Sequence, residues 1–281
     1  MAGKIRLFLY TQCAFNYIFT MKNSVLILLV VILAASCSKD TDPLPPSNDS
    51  QPSDTVLFIN FDPRFAGAEM ELGTTYVNAL SYPFSTTEMK FYVSNLHLHK
   101  SDGTVLELSD IELINIGENE NVLAYAIPRG SYTGLSYDLG VPSEMNGTQD
   151  GDFNPAIYPA GHPLNEQESG MYWQWATGYR FFSFEGRFDT VPNSSDLLPE
   201  LYAYHTGIDT LFREVGFFPK GTDTETGVGM EYSFFVDVDS IFATHTDTVD
   251  FAEASSFHGM PAQMPMGIKL ANNMAKSFVL D

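Results

Sequence analysis

The stretch FYVSNLHLHKSDGTVLELSDIELINI, residues 91–116, alternates apolar and polar side chains on both sides of an Asp-Gly pair. Alternation with period two gathers the apolar residues on one side of an extended chain, where a helix would scatter them around its circumference. An Asp-Gly pair between two such runs is a hairpin turn. The pattern recurs, punctuated by Gly, Pro, Asn and Asp, and predicts strands at 56–61, 89–99, 105–116, 121–127, 134–139, 172–185, 201–205, 212–218, 232–238 and 247–251. With no long amphipathic helix among them, these runs predict an all-β fold, a two-sheet antiparallel β-sandwich (Ig-like) with long loops. The segment 146–170, rich in Gly, Asn and Pro, is long enough to suggest a functional loop.

The N-terminal part follows a different logic. MKNSVLILLVVILAASC, residues 21–37, has a Lys after its Met, an apolar run and small residues before a Cys, the pattern of a secretory signal. A Cys directly after Ala34, Ala35 and Ser36 resembles a lipobox, so 21–36 is expected to be removed and Cys37 to carry a lipid. Residues 1–20 then read as a spurious upstream extension, and 37–54, polar with four prolines, as a flexible tether. This leaves 55–281 as one domain on the envelope of a Gram-negative bacterium, an outer-membrane lipoprotein that meets the membrane through its lipid alone. The Ser-Lys-Asp after Cys37 resembles an export signal of surface lipoproteins, and both the periplasmic and the outer face stay open.

With Cys13 and Cys37 outside that domain, no thiolate remains for a disulfide or a metal. The formal net charge of −21 becomes three units more negative once Lys4, Arg6 and Lys22 are gone, which excludes nucleic acid as a partner. Nothing reads as an enzyme: there is no Gly-x-Ser-x-Gly, zinc-protease helix motif or phosphate loop.

Metal-ligating side chains are more informative. His97 and His99 at i and i+2 would share one face of a regular strand with Phe91 and Val93. His162 lies in the long loop, His205 ends the aromatic run LYAYH, and His258 opens a segment containing Met260, Met264, Met266 and Met274. Thioethers and imidazoles suit copper(I), whereas calcium asks for oxygens, which GTQDGDFN at 147–154 supplies. The Met segment also reads as an irregular closing stretch packed on the sandwich edge, Met being an adaptable gap filler.

The order of motifs carries further than any one of them. FYVSNLHL, GSYTGLSYDLGVPSEMN, HPLNEQESGMYWQWATGYRFFSFEG, YAYHTG and the His-Met segment, taken in series, resemble the MbnP-like family of copper-binding proteins over nearly all of 55–281. The resemblance implies a secreted or lipid-anchored β-sandwich that binds copper(I), often produced with a dihaem cytochrome c peroxidase-like partner. In some relatives that partner oxidises a tryptophan to kynurenine near the metal. On this basis His97, His162 and His205 are the first candidates for copper ligands, with His99, His258 and Met260 behind them. The only two tryptophans, Trp173 and Trp175, would share one face of the 172–185 strand and are the candidates for oxidation. The competing function is a lipid-anchored module for glycan or protein with no role for copper, its aromatics and acidic loops making the contacts.

Overall fold

The computed structural model describes residues 3–4, 54–118, 120–147, 154–173, 178–192, 194, 197–225, 227 and 229–281. The leader at 21–36, Cys37 and the tether up to 53 lie outside these residues, as do Trp175 and residues 148–153 of the acidic loop. The strands in chain order are β1 (Gly3–Lys4), β2 (Thr55–Phe65), β3 (Ala68–Glu69), β4 (Thr75–Val77), β5 (Pro83–Lys100), β6 (Val105–Asn115), β7 (Val122–Ile127), β8 (Ser131–Leu139), β9 (Phe182–Phe188), β10 (Glu200–Thr206), β11 (Arg213–Asp223), β12 (Met230–Asp237), β13 (Ser256–Phe257) and β14 (Phe278–Leu280). Helices are short at α1 (Ser143–Asn146), α2 (Glu166–Ser169) and α3 (Val238–Phe242), and longer at α4 (Met264–Lys276).

Two sheets form a sandwich. One runs β1-β7-β2-β12-β14 with β3 hydrogen-bonded to β2; the other runs β11-β8-β5-β9-β10-β13, with β4 and β6 also on β5. Pairing is antiparallel except for β12 with β2 and β10 with β13. The alternation that predicted strands decides which face is buried: in β2, Leu57, Ile59 and Phe61 are fully buried while Val56 and Phe58 are exposed. Phe61 sits at the middle of the core, its ring 5.4 Å from Phe234 of its own sheet and 5.7 and 5.8 Å from Phe91 and Tyr137 of the facing one. Edge and stacked contacts at these spacings are the favoured aromatic geometries.

The β5 strand departs from regular alternation at Asn95, whose φ of 49° is left-handed and whose side chain donates to Asp138 Oδ2 at 2.7 Å. Pairing with β6 and β8 shifts register there. Before the bulge Phe91 and Val93 face the inter-sheet core; after it Leu96 and Leu98 do. One extra residue reverses the phase of everything beyond it. His97 and His99 are therefore on the opposite face from Phe91 and Val93, contrary to the expectation for an unbroken strand.

Three further expectations change. No strand forms at 247–251, where Thr248 makes only an isolated bridge to Ala243. The run 172–185 is not one strand: Tyr172 makes an isolated bridge to Tyr179, and regular pairing starts at Phe182 in β9. The Met-rich closing stretch is helical in α4, because Gly267, Leu270, Ala271 and Met274 form one buried stripe at helical spacing. Met264 and Met266 pack against the core beside it. No described helix is long and apolar enough to cross a membrane.

Because the left-handed conformation at Asn95 is hard on a β-branched side chain, Asn95→Val is expected to cost about 1–3 kcal/mol in chemical denaturation, with Asn95→Gly costing less. Equal costs for the two would show that the bulge does not depend on the backbone angle.

Candidate functional site

The described residues between 140 and 181 fold over the outer face of the second sheet and create a separate core there, in which Val141, Leu164, Met171, Tyr179 and Phe181 pack on Tyr92 and Ile111. Hydrogen bonds fasten this layer to β5 and to itself. Tyr92 OH donates to Pro163 O at 2.9 Å, Gly140 N to Tyr92 O at 2.9 Å and Tyr92 N to Phe181 O at 3.0 Å. The fully buried Asn146 accepts from Tyr179 N at 2.8 Å and donates to Asp209 Oδ1 at 2.8 Å, tying α1 to the tryptophan segment. Asn165 caps α2 through Gln167 N and Glu168 N, and Gly170, with φ 64°, ends it and turns the chain toward Met171. Trp173 follows, its N–H donating to Gly178 O at 3.1 Å.

Under the edge of this layer the sheet brings two histidines together. The parallel pairs Ala203–Ser256 and Tyr204–Phe257 join β10 to β13; the next residue on each chain is a histidine. His205 Nδ1 and His258 Nδ1 are 3.0 Å apart, with ring centroids 4.7 Å apart. His205 is buried and His258 half-buried. On the neighbouring strand Ser183 pairs with His205 and Glu185 with Ala203, so Glu185 lies diagonally across on the same face. Its Oε1 is 2.6 Å from His205 Nε2, and Arg180 Nη1 stands 3.9 Å from the same oxygen.

Electrostatics act on two members of this cluster, Glu185 and His258. The bond from His205 is the largest influence on Glu185 and holds its carboxyl below the usual range despite burial. Burial, then the neighbouring His205, pushes the His258 pKa below that of an ordinary imidazole, which favours the neutral ring. A neutral imidazole is a metal ligand; a protonated one is not.

The indole of Trp173 fills the space alongside. Only 3% of the residue is exposed. A Cβ on Gly207 would fall 2.8 Å from its Cζ3, and one on Gly259 would fall 3.2 Å from its Cη2. These glycines stand two residues after His205 and one after His258, so the ring lies against the backbone of both histidine-bearing segments. Position 259 needs glycine for a second reason, its φ of 78°. The segment beyond it is held by Gln263, whose Nε2 donates to Ser256 O at 3.3 Å, and by α4, whose Gly267 leaves room for the Phe257 ring.

The other candidate ligands lie elsewhere. His97 sits on β5 opposite Glu107 of β6 and Ser136 of β8. His99 Nε2 pairs with Ser136 Oγ at 2.7 Å, and its ring meets Phe217 edge-on at 5.1 Å. His162 stacks on Tyr158 at 4.4 Å while its Nδ1 accepts from Leu164 N at 3.0 Å, a structural role inside the covering layer. Met260 is 55% exposed. Among the described residues no group of three or more His, Cys, Asp or Glu side chains is arranged to hold a metal ion. Glu185, by contrast, sits behind His205 rather than beside the nitrogen that faces His258.

The order of Trp173, Glu185, His205 and His258 falls within the stretch recognised by a family model: the MbnP model matches residues 54–261. The chain belongs to the MbnP family. The match ends before α4, so the tryptophan, both histidines and the carboxylate are all inside the family region. Among solved structures, MbnP from Methylosinus trichosporium is similar at 17% identity, with a TM-score of 0.46, covering 74% of this chain and 82% of that one. No curated protein matches the chain.

The close approach at Gly207 gives a direct check on where Trp173 lies. A methyl there would also fall 2.4 Å from Tyr179 O, so Gly207→Ala is expected to cost about 1–3 kcal/mol through overpacking. In a Trp175→Phe background it should also shift the Trp173 emission. Unchanged stability and emission would place the indole elsewhere.

Proposed function

We propose that this MbnP family member binds copper(I) through His205 and His258 as part of copper acquisition or handling. The observation that carries the reading is the facing pair of Nδ1 atoms, 3.0 Å apart, with the Trp173 ring packed against both segments that bear them. The donor set fits a soft, low-coordinate cation: two imidazoles, no thiolate, and a carboxylate already committed to a ring nitrogen. It does not fit calcium, which asks for several oxygens. What the chain's own residues do is hold: β10 and β13 set the spacing of the rings, and the covering layer excludes bulk water from their inner side.

Trp173 is the residue we assign to oxidation to kynurenine, because its ring touches the histidine segments. The oxidant comes from outside the chain, and the family resemblance assigns that part to a dihaem cytochrome c peroxidase-like partner. Cys37, lipidated after removal of the leader, would hold the protein at the cell envelope with the sandwich carried on the 37–54 tether. In this reading the protein is a binding protein, not an enzyme.

The test is a copper(I) titration against a competing chromophoric chelator. His205→Ala and His258→Ala should each weaken binding by on the order of 100-fold or more, exceeding what loss of an outer partner costs, while His97→Ala, His99→Ala and His162→Ala leave it near wild type. Loss of binding in the latter group alone would move the site to β5 or the covering layer. Peptide mapping of protein from its native host should find about 4 Da added at Trp173, one carbon lost and one oxygen gained. The same mass on Trp175 would overturn the assignment.

A further inference from the structure

The two histidines of the pair are not equivalent, and the difference originates in Glu185. Its Oε1 lies 2.6 Å from His205 Nε2 and 3.9 Å from Arg180 Nη1, while the Ser183 hydroxyl nearby donates to Glu88 Oε1 at 2.6 Å. An ionised carboxylate has lone pairs but no proton to give, so the hydrogen in the short contact belongs to the imidazole. A neutral imidazole carries a single N–H. With that hydrogen on Nε2, Nδ1 of His205 keeps its lone pair, and Nδ1 is the atom turned toward His258.

We infer that Glu185 is a positioning residue, which fixes His205 as the Nε2–H tautomer and aims its Nδ1 lone pair at the midline between the two rings. The inference rests on the copper reading only for the identity of what that lone pair accepts. A consequence follows for the other ring. Two nitrogens 3.0 Å apart are at hydrogen-bond distance, so with His205 neutral the shared hydrogen sits on His258 Nδ1. To offer its own Nδ1, His258 must carry its hydrogen on Nε2 instead. His205 is preset for a cation, whereas His258 changes tautomer when one arrives; no proton need leave a neutral pair. Ring orientation by an outer carboxylate is a general device of histidine metal sites, and here the sheet builds it from the diagonal placement of Glu185 and His205.

The test uses the full chain labelled with 15N in histidine, with long-range proton–nitrogen spectra of the metal-free protein. His205 should appear as the Nε2–H tautomer in the wild type, as a mixture in Glu185→Ala, and again mainly as Nε2–H in Glu185→Gln, whose amide oxygen still accepts. Copper(I) affinity should fall by about 10- to 100-fold in Glu185→Ala, and Glu185→Gln should recover most of it. A wild-type His205 protonated on Nδ1 overturns the inference, and so does a Glu185→Ala variant whose tautomer is unchanged. If the wild type takes up no copper(I) while the tautomer still depends on Glu185, the copper reading fails and the positioning role stands.

Discussion

Strand β5 is the member on which the rest of the molecule depends. It hydrogen-bonds with β4, β6, β8 and β9, and it is buried on both faces over much of its length. On one face Phe91, Val93, Leu96 and Leu98 belong to the core between the sheets; on the other, Tyr92 anchors the 140–181 layer with its hydroxyl and its backbone. A strand that serves two cores needs apolar residues at successive positions, and a change of phase lets it leave that arrangement once the covering layer ends. The bulge at Asn95 performs this change. Beyond it one face returns to polar residues, among them both histidines of the His-x-His pair.

The candidate site is assembled where structural order is least regular. Trp173 stands beside the isolated Tyr172–Tyr179 bridge, His205 comes from the end of β10, and His258 from a segment that pairs with the sheet through two residue pairs. What makes their meeting reproducible is close packing. Glycines at 207 and 259 let an aromatic ring reach two backbones at once, and a ring in such contact leaves little freedom to either. The carboxylate of Glu185 adds direction to this, since packing alone does not choose between the two edges of an imidazole.

Alternation along the chain was enough to read the sandwich and most of its strands. It was not enough to read which histidines meet. His97 and His99 look like partners because they are two apart, but the bulge and the Ser136 hydroxyl give them a different setting. His205 and His258 are 53 residues apart and meet through a parallel pairing between short segments, a relation no local pattern announces. Glu185 lies inside the aromatic motif, yet in so acidic a chain one carboxylate draws no notice until a strand register sets it diagonally across from a histidine. The helix α4 escaped notice for a milder reason: its buried stripe includes a glycine and an alanine, which weaken the apolar signal without weakening the packing.

The two-pair ladder between β10 and β13 has an implication for how such a site changes over generations. Almost all of the sandwich is held by longer ladders and by the aromatic core around Phe61. The piece carrying His258 adds few backbone bonds to the sheet and is held mainly by packing, with Phe257 buried in the core and Gly259 against Trp173, so His258 itself carries little of the sandwich's stability. One half of the pair is thus inherited with the scaffold, and the other is open to exchange, which gives a lineage a route to a different side-chain chemistry at this spot without rebuilding the fold.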